Sequence, residues 1–141
     1  MGARTSEVAR LDVYANPDAT EAARTPFFLD VQNDHIQGLK TRVVAPLWAQ
    51  AWLAVPMEDL NPTFTVAGQA VVMDTPALGA VPAALLRRPV ANLASDQLAI
   101  QNALDALLGG YCRGLSAVCR RRGVPVDASN ATGHISPIKS A

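Results

Sequence analysis

The chain is poor in the residues that form disulfides and metal sites. Among 141 residues it has two cysteines and two histidines, and only 17% of its residues are charged. Cys112 and Cys119 are seven apart, about 10 Å along a helix, which is too far for a disulfide. With no further Cys and no His beside them, a zinc site is not expected. Two free thiols are typical of a reducing compartment.

Long apolar segments are missing too. No apolar run reaches the roughly 18 residues needed to cross a membrane. The first ten residues lack the hydrophobic region of a signal peptide. We therefore expect a cytoplasmic protein with no membrane contact.

Catalytic motifs are also absent. The sequence contains no G-x-S-x-G, no Walker motif and no Gly-rich phosphate fingerprint. His35 follows Asp34 in a turn and is predicted to be an exposed loop residue. Ser95 and Asp96 are explained by the start of a helix, where a hydroxyl caps the backbone and an acid suits the dipole. These features predict no catalytic residues, no metal site and no cofactor.

The charges are divided unevenly along the chain. Residues 9–111 carry six basic and ten acidic residues, a net charge of −4, whereas residues 112–141 carry five basic residues and one acid, a net charge of +4. An acidic body is a poor nucleic-acid clamp. The basic segment, which includes Arg120, Arg121 and Arg122, suits an anionic partner or solvent.

The strongest pattern in the sequence is a helix between Asn92 and Tyr111. Its apolar residues recur at i, i+3, i+4, i+7 and i+8 and therefore share one face. They are Ile100, Ala103, Leu104, Leu107 and Leu108. Ser95 is expected to cap the start, and Gly109 and Gly110 to end the helix, because glycine accepts a left-handed conformation.

Short alternating segments precede this helix and predict strands. The expected strands are 10–14, 27–32, 41–47, 63–66, 70–74 and 81–87, with a hairpin turn at 67–69. Residues 48–60 fit a loop with a short helical turn. We therefore predict a mostly β (α+β) fold, a small antiparallel barrel or sheet with one helix packed on it.

Three parts of the chain are distinguished by composition. Residues 1–8 are small and polar and are predicted to be a disordered extension. Residues 9–111 form the predicted domain. Residues 112–141 are predicted to hold a short helix, with Cys112, Leu115, Val118 and Cys119 on one face, followed by a disordered tail.

Several segments of the domain together resemble the CcdB toxin family. In the first half they are L-D-V-Y at 11–14, F-L-D-V-Q-N-D at 28–34 and R-V-V-A-P-L at 42–47. In the second half they are A-V-P at 80–82, V-A-N-L at 90–93 and I-Q-N-A-L at 100–104. The order and most of the spacing agree over about residues 9–111.

The resemblance implies an SH3-like antiparallel barrel with a small side sheet and a C-terminal helix, the CcdB/MazF-like fold. It implies a homodimer that is not an enzyme. It further implies a toxin that binds the A subunit of DNA gyrase and is neutralised by a CcdA-like antitoxin. Operator DNA would be contacted only in complex with that antitoxin.

In the family, a final Trp-Gly-Ile after the helix makes the gyrase contact, together with helix residues and the loop after D-V-Q. Carried over by position, the implied gyrase-binding residues here are Asn33, Ile36, Gln97, Gly109, Gly110 and Tyr111. Gly110 matches the family's glycine, while Gly109 stands where the tryptophan is and Tyr111 where the isoleucine is. An aromatic anchor is a typical interface hot spot.

Two other functions remain open from the sequence. A CcdB-fold protein without the tryptophan could have lost gyrase poisoning and act as an antitoxin-binding or operon-regulating module. A related fold also carries MazF-like endoribonucleases, which need cations for phosphate and an acid/base pair. His35, Arg42, Arg87 and Arg88 are the candidates for that chemistry, but the acidic body disfavours it.

Overall fold

A computed structural model describes residues 8–36 and 38–110 of the chain. Within these residues, seven strands form one antiparallel sheet that curls into a nearly closed barrel, and one α-helix follows the last of these strands. The strands are β1 (Asp12–Ala15), β2 (Phe27–Asp30), β3 (Thr41–Ala49), β4 (Thr63–Val66), β5 (Gln69–Met73), β6 (Gly79–Pro82) and β7 (Ala91–Asn92). The helix α1 spans Gln97–Leu108. The predicted fold class is confirmed.

The long strand β3 organises the sheet. One of its edges pairs with β2, with Val44 opposite Asp30 and Leu47 opposite Phe27. Its other edge pairs first with β6 through 41–44 and then with β5 through 47–49. Pro46, which has no N–H to donate, lies in the gap between β6 and β5, so it interrupts neither ladder. The β4–β5 hairpin therefore extends from the far half of β3 as a side sheet.

The barrel core is made by alternate residues of the strands and by one face of α1. The cluster consists of Leu11, Val13, Leu29, Val31, Ala45, Leu47, Phe64, Val66, Val71, Met73, Leu93, Ile100, Ala103 and Leu104. Burying one face of a sheet against a helix stripe gives the large apolar contact area that stabilises this fold. Ile100, Ala103 and Leu104 are buried as predicted. The prediction was wrong for Leu108, which is 73% exposed because the last turn of α1 extends past the core.

The ends of α1 differ in how well the sequence predicted them. Gly109 takes a left-handed conformation, with φ at 76°, and the Gly110 N–H donates to the Asp105 carbonyl at 2.8 Å, so the predicted glycine stop is confirmed. Ser95 makes no capping hydrogen bond to the helix. A short 3-10 turn at Ala94–Asp96 precedes the helix instead, and Asn92 Oδ1 accepts from the Ala94 N–H.

Most predicted strands lie where the alternation placed them, with shifted ends. The 67–69 turn is a two-residue hairpin, in which Ala67 and Gly68 both have positive φ, at 49° and 78°. The last predicted strand, 81–87, is shorter and earlier, because β6 ends at Pro82 and a 3-10 turn follows. Strand β7 was missed. The predictions for residues 1–7 and 111–141, which include the short helix, the tail and both cysteines, lie outside the described residues. Among the described helices, none is long and apolar enough to span a bilayer.

A second, smaller cluster covers the opposite face of the sheet. Tyr14, Val44 and Leu86 are buried there, with Val8, Phe28 and Val81 packed around them. Burial, followed by the nearby carboxylates of Asp12 and Asp30, raises the pKa of Tyr14 from 10.0 to about 12. The neutral phenol is therefore the form that the fold accommodates.

This pKa predicts a loss of stability in alkali. Because the folded value lies above the unfolded one, the contribution of Tyr14 is fully present below pH 10 and is lost as pH rises from about 10 to 12. When the melting temperature is measured as pH rises through this range, we expect Tyr14→Phe to lack the part of the fall that comes from Tyr14. Tyr111→Phe, which removes the other tyrosine, should leave the fall in place. An identical fall in Tyr14→Phe would contradict the prediction.

Candidate functional site

The candidate residues lie on two separate segments. Asn33 and Ile36 are exposed on the loop between β2 and β3, and Ile36 is 51% exposed. Asn33 shapes the loop, since its Oδ1 accepts from the His35 N–H at 2.9 Å and its carbonyl accepts from the Ile36 N–H at 3.1 Å. The loop therefore presents Ile36 on a turn held by its own hydrogen bonds.

The other segment is α1. Gln97 is its first residue, and Gly109 and Gly110 follow its last; all three are exposed. Gln97 and Gly109 are twelve residues apart, which is about 18 Å along the helix axis. They therefore lie at opposite ends of a ridge and do not form one compact patch. Tyr111, the sixth predicted site residue, lies outside the described residues.

The apolar side chain at the helix end is Leu108. It is 73% exposed and directly precedes Gly109. Gly109 has no side chain, and its left-handed φ of 76° strains any other residue, although the space around it is open. Gly109 thus ends the helix, and the exposed apolar side chain there is Leu108, a residue the sequence pattern assigned to the core.

A polar network joins the loop to the helix, and sequence reasoning missed it. Arg10, just before β1, donates through Nη2 to Gln101 Oε1 at 2.7 Å. Its backbone N–H donates to Asp34 Oδ1 at 2.9 Å. Gln101 in turn donates through Nε2 to Asp105 Oδ1 at 2.8 Å. Gln97, Gln101 and Asp105 are spaced by four and lie along one side of α1. The only sequence signal was that spacing of polar residues.

Beneath the loop, a buried ion pair anchors this network. Asp30 is fully buried and Arg42 is 8% exposed. Arg42 donates through Nε to Asp30 Oδ2 at 2.7 Å and through Nη2 to Asp30 Oδ1 at 3.0 Å, a bidentate pair. The same Nη2 lies 3.1 Å from Asp34 Oδ1. Arg42 therefore fixes the start of the loop to the middle of the sheet.

The protonation of this pair follows from its burial. Burial raises the pKa of Asp30, and the hydrogen bonds and charge of Arg42 offset part of that rise. Burial alone would lower the pKa of Arg42, but the carboxylates of Asp30 and Asp34 more than reverse it. Arg42 is thus a charged residue whose side chain is buried and whose Nε and Nη2 donors are occupied inside the protein. It is not free to hold a phosphate.

The amide of Gln32 completes the anchor. Gln32 is 8% exposed, and its Oε1 accepts from the Val43 N–H at 3.0 Å, which ties the start of the β2–β3 loop to β3. Its Nε2 is buried without a hydrogen-bond partner. Within 8–36 and 38–110, no three His, Cys, Asp or Glu residues group closely enough to hold a metal ion. The hydrogen bonds of this network can hold the β2–β3 loop and α1 in fixed positions relative to each other.

A family model described as "CcdB protein" matches residues 10–110 of the chain. This range begins at Arg10 and includes every strand, the loop and the whole of α1. No curated protein matches the chain. The matched range and the described domain therefore coincide almost completely.

The ion pair predicts an asymmetric response to mutation. Arg42→Met leaves the buried Asp30 carboxylate uncompensated, and we expect the free energy of unfolding to fall by about 3–5 kcal/mol. The double variant Asp30→Leu/Arg42→Met should recover much of that loss, because no buried charge remains. Arg87→Met, at an exposed arginine, should change stability little. Urea denaturation measures all three, and a double variant no more stable than Arg42→Met would refute this account.

Proposed function

Because the chain belongs to the CcdB family of toxin–antitoxin toxins, we propose that it is a toxin that binds the A subunit of DNA gyrase. The observation that carries the proposal is the exposed ridge of α1, which ends in Leu108 and Gly109 and is joined through Arg10 to the loop that holds Asn33 and Ile36. The helix with its C-terminal end and the β2–β3 loop are also the two segments in which the sequence resembles the family's gyrase contact.

The proposed mechanism is occupation of a partner's surface without covalent chemistry. Leu108, at the end of α1, and Ile36, on the loop, are exposed apolar side chains of the two segments, 73% and 51% exposed. Asn33 is exposed on the same loop as Ile36, and Gln97 is exposed at the other end of α1 from Leu108. Apolar anchors surrounded by polar groups are the usual anatomy of a protein interface. Leu108 replaces the family's tryptophan as the anchor at the end of the helix, and Tyr111 supplies the aromatic ring beyond the glycines.

The partners follow from the same proposal. The toxin acts in the cytoplasm as a homodimer and is neutralised by a CcdA-like antitoxin. It contacts operator DNA only in complex with that antitoxin, which agrees with the acidic excess of residues 9–111. An endoribonuclease of the MazF kind is disfavoured by a specific observation: Arg42, a proposed phosphate-binding cation, is buried and paired with Asp30 and Asp34.

The test is made in a gyrase-sensitive bacterium and with purified proteins. We expect expression of the full chain to stop growth and the purified chain to capture gyrase A. Leu108→Ala should weaken gyrase A binding by about tenfold or more, because it removes the anchor. Leu85→Ala, at an exposed leucine away from α1, is the matched control. Normal growth together with no capture of gyrase A by the wild type would refute the proposal.

One observation favours a second candidate, a module that binds antitoxin without poisoning gyrase. The end of α1 carries Leu108 and Gly109 where the family has an aromatic ring, so the anchor is smaller. In that case the wild type is not toxic, and Leu108→Trp should confer toxicity measured as growth arrest. Leu108 is the better position for this substitution, because Trp at Gly109 would be strained by the positive φ. A toxic wild type would exclude this candidate.

A further inference from the structure

The two segments of the proposed contact surface are distant in sequence and are bridged by one side chain. Arg10 donates to Gln101 Oε1 on α1 at 2.7 Å and, through its backbone, to Asp34 Oδ1 on the loop at 2.9 Å. Its Nε also donates at 3.4 Å to the carbonyl of Val31, the first residue after β2. One residue therefore contacts the start of the loop, its middle and the helix.

A strained turn holds Arg10 in this place. The next residue, Leu11, has a φ of 71°, a left-handed conformation that is unfavourable for a residue other than glycine. Its surroundings enforce it: Leu11 is 4% exposed, its N–H donates to the Asp30 carbonyl at 2.7 Å, and its carbonyl accepts from the Leu93 N–H at 2.9 Å. Strain that neighbours maintain in this way is typical of functional sites. The turn it creates directs the Arg10 guanidinium towards the helix.

Both ends of the bridge are themselves fixed. On the loop side, Asp34 Oδ1 accepts from the Arg10 N–H and from Arg42 Nη2, so the loop is connected to the buried ion pair. On the helix side, the Gln101 amide is oriented by its bond to Asp105 Oδ1. The bond to Gln101 has a charged donor and the bond to Asp34 has a charged acceptor, and hydrogen bonds with a charged partner are stronger than neutral ones.

We propose that Arg10 is a positioning residue, which holds the β2–β3 loop and α1 in one relative arrangement so that both meet the partner together. The inference rests on the proposed function and adds that the surface is preorganised. A surface that is already ordered does not lose that conformational freedom on binding. Arg10 need not touch the partner to act in this way.

The experiment uses the full chain with three substitutions. Arg10→Ala removes the guanidinium but keeps the backbone bond to Asp34, and Arg10→Lys keeps one donor that can reach Gln101. Arg24→Ala is the matched control, because Arg24 makes a 2.7 Å bond to Glu21 away from this surface. Each variant is measured by melting temperature, by amide hydrogen exchange and by its dissociation constant for gyrase A.

We expect Arg10→Ala to weaken gyrase A binding by about tenfold, the usual effect of losing one charged hydrogen bond. Amide exchange at His35, Ile36 and Gly110 should accelerate, while exchange in β3 and the melting temperature change little. Arg10→Lys should recover part of both effects, and Arg24→Ala should show neither. Adding Gln101→Ala to Arg10→Ala should cause no further loss, because both remove the same link.

Each other outcome has a definite meaning. Wild-type exchange at His35, Ile36 and Gly110 in Arg10→Ala overturns the inference. Acceleration that extends equally to β3 also overturns it, because Arg10 would then only stabilise the fold. If the wild type does not bind gyrase A, the proposed function fails, while the exchange comparison still decides whether Arg10 orders the surface. If exchange accelerates but gyrase A affinity is unchanged, the claim that preorganisation aids binding is overturned.

Discussion

The buried pair of Asp30 and Arg42 is the constraint on which the loop and the helix depend. A carboxylate with no solvent exposure is tolerable only beside a matching cation, and the fork of Arg42 supplies two hydrogen bonds at once. This requirement fixes the register of β2 against β3, because the pair meets only when Asp30 lies opposite Val44. The pair then reaches outwards through Asp34. A continuous series of polar contacts thus runs from the middle of the sheet through Asp34 to Arg10 and on to α1.

Much of the fold could be predicted from the sequence, because local patterns determine it. Alternation in Thr63–Val66 and the Ala67–Gly68 turn define the β4–β5 hairpin, and the spacing of Ile100, Ala103 and Leu104 defines the buried face of α1. The errors lie where tertiary context decides. Leu108 fits the apolar stripe but has no sheet beneath it. The two-residue strand β7 exists only because β1 offers it an edge.

The site was harder to predict than the fold. The resemblance indicated the segments of Asn33, Ile36 and Gly109, but gave no information on what connects them. Arg10 and Gln101 lie 91 positions apart, and no local pattern relates an arginine before β1 to a glutamine in α1. Leu11 has a positive φ imposed by its neighbours, which the sequence does not signal. Features made by long-range contacts require coordinates.

The pairing of β1 with β7 has a consequence for synthesis on the ribosome. Asp12 lies opposite Asn92, and the Asn92 amide donates to Asp12 Oδ1 across 80 positions of the chain. Contacts of such separation form late, because a long loop must close first. The nascent polypeptide consequently cannot complete its sheet until Ala91 and Asn92 have left the exit tunnel. During translation, the link between Arg10 and Gln101 therefore forms only after α1 has been synthesised.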